Sequence, residues 1–392
     1  MTSQSPASSE PINVEQAVRQ RYSEASQSKV TALCCPIEYD REYLKVIPPE
    51  ILERDYGCGD PSRFLRTGET VLDLGSGAGK ICFIAAQVVG PKGRVIGVDM
   101  NDDMLALARK HQGSVGDAIG FHNVEFRKGR IQDLALDLDQ LEAQLKSFPI
   151  HGVDSFLSAE ARADELRSRR PLIASESVDV VISNCVLNLV DPRARVQLFH
   201  EIFRVLREGG RAVISDIVSD EPVPREMQND PDLWSGCISG ALVEEQFLNA
   251  FVQAGFYGVR LLKWDASPWR TVRGIEFRSV TVEAFKGTQA GGLERNQAVL
   301  YKGPFKEVLD DDNHRMERGR RYAVCDKTFR LLQKEPYRAF FEFIEPRAEI
   351  PVAKAKPFDS GTMRIRHPRQ TKGESYDPTE ASGGCCEGGN CC

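Results

Sequence analysis

The chain has 392 residues, 41% of them hydrophobic and 28% charged, enough to bury a sizeable core and to divide into two or three domains. A formal net charge of -6 removes the general electrostatic case for binding nucleic acid or an anionic membrane surface. Eleven cysteines in a chain this long do not make a small disulfide scaffold; in a reducing compartment they read as structural, metal-binding or redox thiols.

The opening stretch, MTSQSPASSEPINVEQAV, has no basic residue before Arg19 and no apolar h-region, which argues against a secretory signal or an arginine-rich transit peptide. No run of about 18 apolar residues follows, so no membrane span is expected and the cytoplasm is the default location. DYGCGDPS then sets Cys58 between two glycines in a short polar segment, away from any apolar periodic face on which a structural cysteine would pack.

ETVLDLGSGAGK joins an apolar run from Val71 to Leu74 to a glycine turn, and ICFIAAQVV follows: strand, tight turn, helix. GRVIGVDM supplies a second strand ending in Asp99, and NDDMLALARKHQ a helix capped by Asn101 or Asp102. VEFRKG is a third strand. Residues 134–175 exceed a normal connection and predict a surface insertion with a helix of its own. VDVVISNCVLNLV is the near-continuous apolar run of a buried parallel strand. Beyond it, Val196, Phe199, Phe203 and Leu206 share one helical face that stops at Gly209-Gly210, and RAVISDIV makes a fifth strand. This alternation predicts a doubly wound α/β sheet over residues 62–218, with its ligand at the carboxyl ends of the strands. EEQFLNAFVQAGF is an amphipathic helix leading into the strands YGVRLLKW and FRSVTVEAF. Residues 291–368 predict a mixed α+β unit, and ASGGCCEGGNCC a low-complexity, flexible end.

Gly75, Gly77 and Gly79 stand at alternate positions, which lets the backbone turn sharply and approach a ligand without an intervening Cβ. The dinucleotide fingerprint wants glycine at position 80, where Lys80 stands, so a nicotinamide or flavin is disfavoured. Packing alone would need one glycine close to the strand rather than three. Asp99 can accept hydrogen bonds from both ribose hydroxyls of a nucleoside. With Asp73 before the turn and SNCVLNL ending the fourth strand, the pattern resembles the S-adenosylmethionine-dependent methyltransferases of the seven-strand class.

Cys185 ends the fourth strand and so faces the acceptor site. Cys58 lies shortly before the first strand and Cys237, in WSGCISGA, just beyond the fifth. Three thiolates suit a soft thiophilic centre, whereas zinc would ask for four ligands at closer spacing, such as a C-x2-C pair, and the sequence has none. DYGCG, DLGSGAGK, GVDM, SNCVLNLV, VLREGGRAVISDIVSD and LWSGCISGAL together resemble the blocks of the arsenite S-adenosylmethionine methyltransferases, in that family's order, across residues 28–285.

The resemblance implies a mostly parallel, seven-strand Rossmann-like methyltransferase sheet with added α+β arsenic-binding and C-terminal regions. The corresponding division is a polar segment 1–28, a cysteine-bearing cap 29–61, an S-adenosylmethionine-binding domain 62–218, an arsenic-binding domain 219–290, a C-terminal domain 291–368 and a tail 369–392. It further implies that Cys58, Cys185 and Cys237 hold a trivalent arsenical whose lone pair attacks the methyl group. Cys34 would be the family's fourth cysteine, taking part in binding or in the disulfide step that returns arsenic to the trivalent state; its neighbour Cys35 leaves that assignment open. Tyr56, Asp73, Gly75, Ser76, Gly77, Asp99, Met100, Ile131, Gln132, Asn184 and Val186 would form the cofactor site, with Gln132 replacing an acid common there. The implied partners are arsenite, free or thiol-bound, and a glutathione- or thioredoxin-type reductant. Cys82 and Cys325 read as structural, and Cys385, Cys386, Cys391 and Cys392 as solvated thiols with opportunistic metal binding. Two other readings stay open: a methyltransferase for an organic small molecule with structural cysteines, and a non-catalytic arsenical-binding protein.

Overall fold

Apolar runs bounded by turn residues become strands, and the runs with helical period cover them. The computed structural model describes residues 13–27, 37–54, 56–287, 291–311, 314–359, 364–373 and 375. The chain divides into two units, Met1–Gly287 and Thr288–Cys392. The first unit opens with helix α1 (Val14–Gln27) and the short α2 (Arg41–Leu44) and α3 (Pro49–Glu53). The α/β alternation follows as β1 (Thr70–Leu74), α4 (Lys80–Val89), β2 (Arg94–Asp99), α5 (Asp102–Ile119), β3 (Val124–Lys128), α6 (Leu138–Ser147), α7 (Val153–Arg169), β4 (Val178–Asn184), α8 (Arg195–Val205) and β5 (Leu206–Ser219). It closes with α9 (Arg225–Gln228), α10 (Pro231–Ser235), β6 (Leu242–Val243), α11 (Glu244–Gln253), β7 (Phe256–Trp264), β8 (Arg270–Val272) and β9 (Ile275–Lys286).

The sheet runs β3-β2-β1-β4-β5-β9-β7, with β6 pairing β5 and β8 pairing β9. Strands β1 to β5 are parallel to their neighbours, while β9 lies antiparallel between β5 and β7. The described part of residues 219–290, expected as an arsenic-binding domain, supplies β6 to β9 of this same sheet. The strand order reverses between β1 and β4, which opens a crevice at their carboxyl ends. Helices cover both faces, so the strands are apolar nearly throughout. One core layer gathers Leu72, Leu74, Phe199 and Phe251, the opposite one Val71, Phe83, Val95 and Val180. ICFIAAQVV lacks a polar face because α4 is buried almost throughout. Of the two caps expected for α5, Asn101 is the one used: its side chain accepts from Met104 N at 3.0 Å.

Two expectations are corrected. Helix α8 ends at Val205; Leu206 opens β5 opposite Val178, and Gly209-Gly210 lies inside that strand rather than at a helix cap. The buried face of α8 is Leu198, Phe199, Ile202 and Val205, while Val196 is 65% exposed. Strand pairing claimed a leucine that also fitted the helical period. The insertion holds two helices, α6 and α7, which pack through Leu138 and Leu141 of the one and Ala163 and Leu166 of the other, around Leu136. Among the described residues, no helix is long and apolar enough to cross a membrane.

The second unit contains β10 (Leu293–Glu294), β11 (Ala298–Tyr301), β12 (Glu307–Leu309), β13 (Arg315–Glu317), β14 (Arg321–Ala323), α12 (Asp326–Leu332), β15 (Phe341–Ile344), β16 (Lys356–Pro357) and α13 (Pro368–Lys372). Its central sheet is β14-β11-β15, antiparallel. Val299, Tyr301, Tyr322, Phe329 and Phe341 contribute to its own core.

Candidate active site

A cavity of about 960 Å³ lies at the carboxyl ends of β1, β2 and β4, and all eleven residues expected to hold the cofactor line it. Gly75 N and Ser76 N donate to Val98 O at 2.8 and 3.1 Å, which locks the turn after β1. The glycines of this turn divide their tasks. A Cβ at Gly75 would lie 2.4 Å from Val186 Cγ1 and one at Gly79 2.6 Å from Phe126, so these two serve packing. Only at Gly77, with φ +51°, does the missing side chain face open space. The sequence argument that packing needs a single glycine is corrected accordingly.

The cavity wall also fits a nucleoside cofactor chemically. Asp99 accepts Gly77 N on one oxygen and Asn101 N on the other, each at 2.8 Å, and each oxygen retains a lone pair. Ser76 Oγ is buried with no partner among the described residues, a polar atom that a ligand would satisfy. Asp73 is buried and accepts from the Cys82 thiol at 3.2 Å, which explains the cysteine read as structural in α4. Cys325, also read as structural, caps α12, accepting from Thr328 N at 3.3 Å.

The three cysteines expected to act together fall in one buried cluster. All three are buried, and the sulfurs of Cys58 and Cys185 lie within 4.8 Å of one another. Cys237 Sγ also donates to Cys185 O at 3.2 Å. The flanking glycines of DYGCG allow this convergence: a Cβ at Gly57 would stand 2.3 Å from Asn184 Nδ2, and one at Gly59 2.5 Å from Ser215 Oγ. Asn184 Oδ1 accepts from Cys58 N and Gly59 N at 2.9 and 3.0 Å, and Ser279 Oγ donates to Cys58 O at 2.6 Å. Cys185 and Cys237 both occupy left-handed backbone, φ 63° and 59°, a conformation that stores about 1–3 kcal/mol each and aims their side chains. Cys185 lies on the cavity wall. Its thiol is held well above the usual range by hydrogen bonding to its thiol neighbours and by burial, and burial raises that of Cys58. Cys34 and Cys35, like the four tail cysteines, lie outside the described residues.

Sequence reasoning missed three groups here. Helix α1 forms part of the cavity wall, and Tyr22 on it packs against the cluster that holds Cys237; desolvation and the nearby thiols push its phenol upward. Arg195 donates to Val190 O, Asn188 O and Gly240 O at 3.2, 3.2 and 2.7 Å, tying the segment after Cys185 to the one after Cys237. Asp216, in β5, has a carboxylate oxygen within 4.8 Å of both the Cys58 and Cys185 sulfurs. The SDIV motif displayed that acid, but nothing in its own neighbourhood pointed to the thiols.

A family model for a methyltransferase domain matches residues 65–255, and one for a domain of unknown function matches residues 288–376. With the switch-point cavity, the former makes the chain an S-adenosylmethionine-dependent methyltransferase. The arsenite methyltransferase of Aquipseudomonas alcaligenes is 33% identical over 330 residues, 80% of this chain and 85% of that protein. The one from Mus musculus is 30% identical over 366 residues, covering 89% and 87%. An arsenic(III) S-adenosylmethionine methyltransferase from Chlamydomonas reinhardtii has a similar solved structure: TM-score 0.52, 26% identity, 83% of this chain and 100% of that one. The chain belongs to the arsenite methyltransferase family.

Proposed function

We propose that this protein transfers methyl groups from S-adenosylmethionine to trivalent arsenic held by Cys58, Cys185 and Cys237. The observation that supports it best is that three buried cysteines from three distant segments fall in one cluster, with Cys185 on the wall of the cofactor cavity. S-adenosylmethionine supplies an activated methyl group, and the residues from Tyr56 to Val186 named above are the ones to hold it.

Cys58 and Cys185, whose thiols are raised, enter the reaction protonated. Each S–H proton leaves with a ligand of the incoming arsenical, as water from a hydroxide or as a free thiol from a thiolate, while sulfur bonds to arsenic. Coordination then keeps each sulfur in thiolate form. Arsenic brings its own lone pair, so no side chain need act as general base, and the protein contributes position above all. A small thiol or a thioredoxin-type protein restores the thiols if they reduce arsenic after transfer, with Cys34 as the fourth participant.

Incubation with arsenite and methyl-labelled S-adenosylmethionine, followed by mass spectrometry of the arsenic species, tests donor and acceptor together. Labelled methylarsenicals are expected. A protein that binds the cofactor and arsenite yet leaves all arsenic unlabelled would contradict the proposal.

A further inference from the structure

Asp216 is wholly buried in β5, yet no cation forms an ion pair with it among the described residues. Its carboxylate is held by neutral donors: Asn188 Nδ2 and Ile217 N at 2.8 Å on one oxygen, Leu187 N and Asn188 N at 2.9 and 3.3 Å on the other. Arg195 reaches it only through space, its hydrogen bonds being spent on carbonyls. A buried carboxylate held this way is expensive to maintain and strongly oriented. Two of the three arsenic-binding thiols stand beside it, their sulfurs within 4.8 Å of its oxygen.

We infer that Asp216, in its carboxylate form, is the negative charge toward which positive charge moves during methyl transfer. This rests on the arsenite reading above. As the arsenic lone pair forms the As–C bond, the electrons of the breaking C–S bond return to the sulfonium sulfur of the cofactor. The donor sulfur thereby becomes neutral and the positive charge passes to arsenic. No proton, oxidant or reductant is needed in this step. The charge ends on the atom bound by the two sulfurs that flank Asp216, and the four N–H donors keep the carboxylate in place, so nothing must reorganise as the charge arrives.

The competing role is structural. Through Leu187 and Asn188, Asp216 also fastens the turn that carries Cys185. The two roles separate in the measured constants, because a misplaced turn weakens arsenite binding, whereas a charge that acts on the developing arsonium leaves the neutral bound state intact.

The test uses the full chain and the Asp216→Asn variant. Arsenite affinity is read from quenching of tryptophan fluorescence, S-adenosylhomocysteine affinity by calorimetry, and methylation in a single turnover, all at about pH 8.5, where the carboxylate is ionised. The expected result is a rate lowered about 100-fold, the scale of losing one preorganised electrostatic group, with both affinities within about threefold of wild type. A rate within about fivefold of wild type overturns the inference, as does a parallel loss of rate and arsenite affinity. If the amide variant does not fold, Asp216→Ser, which keeps an oxygen near the Leu187 amide, is judged by the same criteria. A wild-type protein that binds both ligands and forms no methylarsenical removes the arsenite reading, and this inference with it.

Discussion

Asn184, the last residue of β4, accepts the backbone N–H of Cys58 on its side-chain oxygen at 2.9 Å and donates to Gly59 O at 2.8 Å. One amide therefore clamps the first thiol loop onto the strand whose next residue is the second thiol. Asn184→Ala removes the clamp and leaves buried backbone groups unpaired. We expect a loss of about 1–3 kcal/mol in stability and weaker arsenite binding, measured by urea unfolding and by fluorescence titration.

Left-handed backbone at Cys185 yields a contrast between two variants that both lack the thiol. Cys185→Gly should be more stable than Cys185→Ala by about 1 kcal/mol, because only glycine adopts φ 63° without a Cβ penalty. Arsenite methylation should vanish in both. Equal unfolding midpoints would show that the backbone relaxes once the thiol is gone.

The glycine turn separates fold from ligand. Gly75→Ala drives a Cβ into Val186 and should lower the melting temperature, whereas Gly77→Ala projects into the cavity. The second variant should weaken S-adenosylhomocysteine binding by at least about tenfold, with a smaller thermal change from its positive φ alone. Calorimetry and thermal unfolding, side by side, distinguish these outcomes.

Helix α1 is pinned to α10 by Arg21, whose Nη1 donates to Asp232 O, Asp232 Oδ1 and Ser235 Oγ, each at 3.1 Å. Cys237 stands two residues beyond the end of α10. Arg21→Ala should loosen α1 over the thiols by about 1 kcal/mol, equivalent to roughly fivefold faster alkylation of Cys237. Mass spectrometry of the modified peptide reads the rate; unchanged labelling would mean that other contacts hold the helix.

Burial pushes Asp216 up to about 7 from an ordinary carboxylate value. Between about pH 4 and 7 the folded protein therefore keeps a proton that the unfolded chain has released, so this residue makes stability fall as pH rises through that window and level off above it. Asp216→Asn should flatten the decline. Urea midpoints at pH 5 and 7.5, compared between wild type and variant, isolate the effect; identical slopes would place the carboxylate in a more polar setting.

Much of this architecture is written locally. Val71 to Leu74 and VDVVISN announce buried strands because both faces are covered, and Asn101 caps α5 through a bond three residues away. The boundary between α8 and β5 was less legible, since Leu206 satisfies the helical period and the strand alike and only Val178 across the sheet settles its place.

Residue type and spacing along the chain thus determined the alternating strands and helices and the glycine turn, because each depends on neighbours within a few residues, while the three cysteines were singled out by the family resemblance of the blocks that carry them. Only the tertiary structure decided which groups surround those sulfurs. Asp216 beneath two thiols, Tyr22 against a third and Arg195 between two loops are brought there by the reversal of strand order at β1 and β4 and by α1 packing at the cavity. That arrangement arises from burying apolar surface over the whole unit, a sum that no short stretch of sequence contains.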